Sequence, residues 1–136
     1  MLKIVCYKSK SDESLYISDL QNLFSSTKLT NDQRNIHGVL ALHKGTFFQV
    51  IEGEEAVIDT LYEAIKKDTR HSEIIEVLNE PINAPLFKDF STGYAIVNNM
   101  EALYTLQQYT NFLGIDSKSN TNIFFEMITN LISEDA

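Results

Sequence analysis

The order in which short apolar runs and helical patterns follow one another constrains this chain more than any single residue does. Leu2 to Tyr7 is a short apolar run with a β-branched centre, ended by the polar stretch Lys8 to Ser14, and reads as a first strand. Ser18-Asp19-Leu20-Gln21 has the capping-box form, in which a Ser18 hydroxyl accepts from the amide three residues on while Gln21 reaches back. Leu20, Leu23, Phe24 and Thr27 then line one face of a first helix, and the cluster Asn31 to Asn35 breaks the periodicity and marks a loop. Ile36 to His43 and Thr46 to Glu52 are β-like runs joined at Lys44-Gly45, which suits a tight hairpin with Gly45 at positive φ. Gly53 releases the chain into a second helix, opened by Glu54 and Glu55, closed by Lys66 and Lys67, with Val57, Leu61, Ala64 and Ile65 as its buried stripe. Glu73 to Leu78 gives a fourth strand. Phe90 to Val97, beyond the loop containing Pro81 and Pro85, gives a fifth.

The resulting order is βαββαββ, and right-handed crossovers place both helices on one side of a mixed sheet, a ferredoxin-like α+β sandwich. Two more helical patterns follow, Met100 to Leu113 stopped by Gly114, and Thr121 to Ile132. Ile123, Phe124, Phe125, Met127, Ile128, Leu131 and Ile132 make the second too apolar to lie exposed, so the pair is expected to cover the otherwise bare face of the sheet. This divides the chain into a core domain over 1–97 and a helical pair over 98–136.

A chain of 136 residues fits one domain with a real core. Its net charge of −8 and pI near 4.7 argue against nucleic acid, whose phosphates require a basic face, and favour any charged partner being basic. A single cysteine, Cys6, lies within the first apolar run and reads as a core residue, with no intramolecular disulfide to form. The N-terminus holds no signal-peptide h-region and no segment is apolar enough for a membrane span, so a soluble, cytoplasmic protein is expected. His37 and His43 have no cysteine or carboxylate at ligand spacing, and no metal site is expected there.

Gln49 stands in the middle of the apolar run Phe47-Phe48-Gln49-Val50-Ile51, and a buried amide left without partners costs a few kcal/mol. Tyr7 ends the first strand, and the first and third strands of this topology are neighbours, so a phenol and an amide can meet on the helical face of the sheet. Asn31 follows the first helix and Asp68-Thr69-Arg70-His71 the second, so both helix ends offer polar groups to a ligand lying between the helices. Apolar walls at Leu23 and Ile65, with Asn31, Gln49 and Arg70 at the edges, suit a flat heteroaromatic ring with carbonyl and ring-nitrogen edges.

The strings Cys6-Tyr7-Lys8-Ser9, the Asn31 loop, Ile36-His37-Gly38-Val39-Leu40, Phe47-Phe48-Gln49 with Glu52-Gly53, and Asp68-Thr69-Arg70-His71 resemble, in order, the motifs of the BLUF domain, a blue-light sensor that uses flavin. The similarity covers about residues 2–97. The resemblance implies FAD bound non-covalently, Tyr7 and Gln49 as the photochemical pair, Asn31 and Arg70 on the flavin's carbonyl edge, and His71 and Asp68 lining or shaping the same end. It further implies that Tyr7 transfers an electron and a proton toward the excited flavin through Gln49, and that Gln49 ends rearranged by rotation, tautomerisation or both, which shifts the spectrum red. The C-terminal helices match short members without an attached enzyme domain, implying a sensor that signals to a downstream regulatory protein and is not an enzyme, with self-association into a homo-oligomer left open. Two positions depart from the pattern: Phe90 stands where many members carry tryptophan and Thr92 where they carry methionine, and these two are the expected signal relay. Thr30 likewise stands where many members carry asparagine or histidine. The rival readings are a flavin-free regulatory interaction module on the same fold and an acylphosphatase-like enzyme, the latter lacking its phosphate-cradling loop.

Overall fold

The computed structural model describes residues 1–90, 94–116 and 122–133. The elements run β1 (Leu2–Ser11), α1 (Ile17–Gln33), β2 (His37–His43), β3 (Thr46–Glu54), α2 (Glu55–Lys67), β4 (His71–Ile82), β5 (Ala95–Val97), α3 (Met100–Asp116) and α4 (Asn122–Ser133). The strands form a mixed sheet in the order β4-β1-β3-β2-β5, antiparallel except for the β2–β5 pair. This is the ferredoxin-like α+β arrangement that the alternation of runs predicts, extended by two helices.

Away from the edge strand β4, whose residues are half-buried or exposed, the sheet is buried on both faces, because the side chains of β1, β3, β2 and β5 alternate between two separate cores. Val5, Tyr7, Phe47, Ile51 and Leu40 pack with Phe24 of α1 and Ile58 and Tyr62 of α2. Ile4, Cys6, Phe48, Val50, Val39 and Ala41 pack with Leu103 and Leu106 of α3 and Phe124, Ile128 and Leu131 of α4. The C-terminal helices thus occupy the face that α1 and α2 leave open. At the β2–β3 hairpin, Lys44 and Gly45 both take positive φ, 47° and 80°, the geometry of a tight two-residue turn. Gly38 is required for another reason: at φ 141° a Cβ there would lie 2.0 Å from the carbonyl oxygen of Val50, so only glycine lets β2 approach β3 at this point.

Several local expectations shift. Helix α1 starts at Ile17 behind Tyr16, and Asp19 Oδ2 accepts the Tyr16 N–H at 2.9 Å, so Asp19 and not Ser18 closes the helix start. Asn31 lies in the last turn of α1 rather than in a loop, since the helix runs to Gln33 and turns only at Asn35, whose φ is 56°. On α2 the residues that reach the core are Ile58 and Tyr62; Val57, Leu61 and Ile65 are half-buried and Ala64 is exposed, so the buried stripe is rotated by one position toward the sheet. Strand β4 extends beyond the predicted Glu73 to Leu78, because it pairs along nearly all of β1. Strand β5 is shorter than predicted and begins at Ala95; Phe90 lies before it, its N–H donating to the carbonyl of Phe87 at 3.2 Å. Helix α3 continues through Gly114 to Asp116. A mid-helix glycine costs only about 1 kcal/mol relative to alanine and need not end a helix.

Candidate functional site

Antiparallel pairing of β1 with β3 sets Tyr7 directly opposite Gln49, and β2 sets Leu40 against Gln49 from the other side. These three side chains, with Phe47, floor a cleft of about 230 Å³ between α1 and α2. Leu23, Ser26, Thr27, Thr30 and Asn31 form the α1 wall, and Leu61, Ala64, Ile65 and Asp68 the α2 wall, with Arg70 and His71 completing that side. Every residue singled out in the sequence as lining a slot between the helices therefore borders one space. The rotated stripe of α2 is what achieves this: Ile58 and Tyr62 serve the core while Leu61 and Ile65 are left to face the cleft.

The polar groups of the floor are connected. The Tyr7 hydroxyl donates to Gln49 Oε1, and Gln49 Nε2 donates to the Tyr94 hydroxyl at 2.5 Å. All three side chains are buried, Gln49 and Tyr7 at 3% exposure and Tyr94 at 0%. Burial pushes the phenol of Tyr7 well above its ordinary range, and the nearby phenols of Tyr94 and Tyr62 push it further, so Tyr7 is a neutral O–H donor. Burial likewise raises Tyr94, opposed by the amides of Gln49 and Asn31.

Asn31 carries an unusual group: its Nδ2, on a side chain only 2% exposed, has no hydrogen-bond partner among the described residues. A buried amide donor facing a cleft is the kind of group a ligand carbonyl satisfies. On the opposite wall the polar groups are engaged with each other. Arg70 forks onto Asp68, with Nε to Oδ1 at 2.9 Å and Nη2 to Oδ2 at 2.5 Å, and the guanidinium beside Asp68 holds that carboxyl below the usual range. His71 bridges strand and helix: Nε2 lies 2.7 Å from the carbonyl of Ile65 and Nδ1 2.7 Å from Ser9 Oγ. The carbonyl can only accept, so the neutral ring carries its proton on Nε2 and accepts from Ser9 at Nδ1. With both nitrogens used, His71 contributes shape, its ring edge-on to Tyr7 and Phe47 with centroids 5.9 and 6.3 Å apart.

The dimensions and chemistry fit the ring system of a flavin. Leu23, Leu61 and Ile65 give the two walls apolar patches that suit the faces of a flat ring, and a buried amide donor stands at one side without a partner among the described residues.

Of the two relay candidates, Phe90 is half-buried on the far face of the sheet, its ring 5.2 Å from that of Tyr109 on α3, and it does not border the cleft. Thr92 lies outside the described residues. The residue that meets Gln49 is Tyr94, which sequence reasoning missed. A signal was present: with period two, Tyr94 and Ile96 fall on the α1–α2 face while Ala95 and Val97 fall on the other, and that is how they pack.

A family model described as BLUF, sensors of blue-light using FAD, matches residues 2–93. The blue light- and temperature-regulated antirepressor BluF of Escherichia coli (strain K12) is 31% identical over 78 residues, 57% of this chain and 19% of that protein. Photoactivated adenylate cyclase subunit alpha of Euglena gracilis is 28% identical over 81 residues, 60% of this chain and 8% of that protein. The chain thus spans less than a fifth of the length of these curated relatives. Among solved structures, BlsA in its photo-activated state superposes with a TM-score of 0.70 at 26% identity, covering 96% of this chain and 94% of that one. BlrB, a BLUF protein in its dark state, superposes with a TM-score of 0.70 at 25% identity, covering 96% of this chain and 97% of that one.

Proposed function

Because the chain belongs to the BLUF family of blue-light sensors using FAD, we propose that it is a photoreceptor whose α1–α2 cleft holds FAD non-covalently and whose Tyr7–Gln49 pair answers light. The observation that carries this reading is the buried hydrogen-bond chain through Gln49 on the floor of a cleft of ring-system size. When bound, flavin supplies a blue-light absorber that accepts an electron in its excited state. With FAD bound, Leu23 and Ile65 would hold the faces of the ring, Asn31 Nδ2 would donate to a carbonyl at its edge, and Arg70 would reach the same edge by sharing its fork with Asp68. His71 and Asp68 fix the shape of that end.

With flavin bound, Tyr7 would be the electron source. A phenol that has given up an electron becomes strongly acidic, and the proton of Tyr7 already rests on a bond to Gln49 Oε1, so it leaves along a path in place before the light arrives. Return of the electron and proton would restore Tyr7 and leave only the bonding of Gln49 altered. An amide offers a donor at one end and an acceptor at the other, so exchanging its ends changes what it presents to a ligand in the cleft.

The output runs to α3 and α4, which pack on the sheet face behind β3 and β5, and a downstream regulatory protein in the cytoplasm reads their change. Residues 1–97 form the sensor and 98–136 its output element. The protein acts by binding and not as an enzyme. The flavin-free module accounts for the Tyr7–Gln49 bond but leaves the buried Asn31 Nδ2 unsatisfied.

A visible absorption spectrum tests the reading. Purified protein supplied with FAD should be yellow, and blue light should move its bands slightly to the red, reversibly and without bleaching. Loaded protein that is inert to blue light overturns the sensor; protein that stays colourless in excess FAD overturns flavin binding.

A further inference from the structure

Gln49 stands between two phenols, and the second of them carries an inference that rests on the sensor reading above. Tyr94 is fully buried, its hydroxyl accepts from Gln49 Nε2 at 2.5 Å, and its backbone is gripped by the end of α1: Asp32 Oδ1 accepts the Tyr94 N–H at 2.6 Å and Lys28 Nζ donates to the Tyr94 carbonyl at 2.8 Å. Lys28 and Asp32 are themselves paired at 3.0 Å, so the Tyr94 backbone is held by a closed set of contacts and its ring has a fixed place beside the amide.

A phenol hydroxyl both donates and accepts, whereas each end of an amide does only one. With a phenol at each end, the Gln49 amide can be satisfied in two orientations. In the observed one Tyr7 donates to Oε1 and Nε2 donates to Tyr94. Turned over, Nε2 donates to the Tyr7 oxygen and Tyr94 donates to Oε1; the count of hydrogen bonds is unchanged and only two hydroxyl hydrogens rotate. An apolar neighbour in place of Tyr94 would satisfy neither orientation at that end. We propose that Tyr94 is a positioning residue that makes the Gln49 amide bistable, holding its resting orientation as an acceptor and its turned orientation as a donor.

Tyr94→Phe keeps the ring and removes the hydroxyl, and the side-chain amide of Gln49 can be followed by NMR in the flavin-free protein. In the parent the Nε2 protons should exchange slowly with water, and in Tyr94→Phe about tenfold faster, since one of them loses its acceptor. Exchange within twofold of the parent overturns the inference whatever the photochemistry does. In FAD-loaded protein the variant leaves an orphan N–H at rest and an orphan carbonyl when turned, and buried carbonyls tolerate this better. Its resting band should therefore sit closer to the lit-state position, and its dark recovery should slow about tenfold. A 3-fluorotyrosine at position 94, a stronger donor and weaker acceptor, should slow recovery in the same direction with the fold intact. Recovery unchanged in both proteins overturns the inference. A parent that takes up FAD but shows no photocycle defeats the sensor reading alone, and the exchange measurement still decides the role of Tyr94.

Discussion

Glu52 Oε1 accepts the backbone N–H of Phe87 at 2.6 Å, tying the middle of the sheet to the segment that leads into β5. The other carboxylate oxygen accepts the N–H of Leu86 at 2.8 Å, and the carbonyl of Leu86 accepts the Tyr109 hydroxyl of α3 at 2.6 Å. Phe87 fills the space between them, its ring 5.4 Å from Phe124 and 5.7 Å from Tyr109. One buried carboxylate thus organises the seat of the C-terminal helices.

Burial pushes the Glu52 carboxyl from 4.5 up to about 6, opposed by its two backbone amides. Its folded pKa is raised, so the folded state binds the extra proton and stability falls as pH rises between the two values, by about 2 kcal/mol in all. Asp12, Asp32, Glu63 and Asp68 are lowered, so their contributions are lost as pH falls through and below the ordinary carboxylate range, a slope of opposite sign that enters only the acid end of this window. Urea denaturation across pH 4.5 to about 6 should show the decline in the parent and lose it in Glu52→Gln. Glu52→Ala, which orphans the buried N–H of Phe87 and the half-buried N–H of Leu86, should cost about 2–4 kcal/mol at neutral pH.

Tyr7→Phe and Gln49→Leu should each abolish the light-induced red shift while the cleft still takes up flavin. Each removes one link of the buried chain without emptying the apolar walls. The shift is read by difference absorption after blue illumination. A full shift in Gln49→Leu would place the switch elsewhere.

Asn31→Ala and Arg70→Ala should weaken FAD binding by unequal amounts. The buried Asn31 donor is worth about 1–3 kcal/mol, which is a loss of roughly fivefold to 150-fold in affinity. Arg70 is exposed and already forked onto Asp68, so its loss should cost less. Flavin titration followed by fluorescence quenching gives both constants; an Arg70→Ala loss larger than that of Asn31→Ala would reverse this ranking.

The alternation of strands with helices was readable because each face of the sheet needs its own apolar set, and Phe47, Gln49 and Ile51 betray their shared face by spacing alone. Tyr7 opposite Gln49 followed from the neighbour relation of strands one and three. What spacing did not show was tertiary. The Asn31 cluster reads as a loop because its residues favour turns, yet Asn31 is drawn into the helix, where its carbonyl accepts the N–H of Ile36 at 2.9 Å. Tyr94 was overlooked because β5 is only Ala95–Val97, too short to announce its register, and the parallel partner that fixes it, β2, lies far away in sequence.

The short β5 is also where a change at Gln49 should become visible at a distance. Tyr94 touches the amide on one face of the sheet, and its neighbours Ala95 and Val97 pack on the other with Leu103 and Leu106 of α3. A turned amide that alters the pull on Tyr94 therefore acts on the strand whose opposite face seats α3. Amide hydrogen exchange in dark and light, on FAD-loaded protein, should show altered protection in residues 95–97 and in the first turns of α3, while the edge strand β4, on the far side of β1, stays unchanged. Equal protection in both states throughout 95–113 would refute a C-terminal output. If light changes protection in the parent but not in Tyr94→Phe that still shows a red shift, the path runs through Tyr94; if both respond alike, it bypasses that residue.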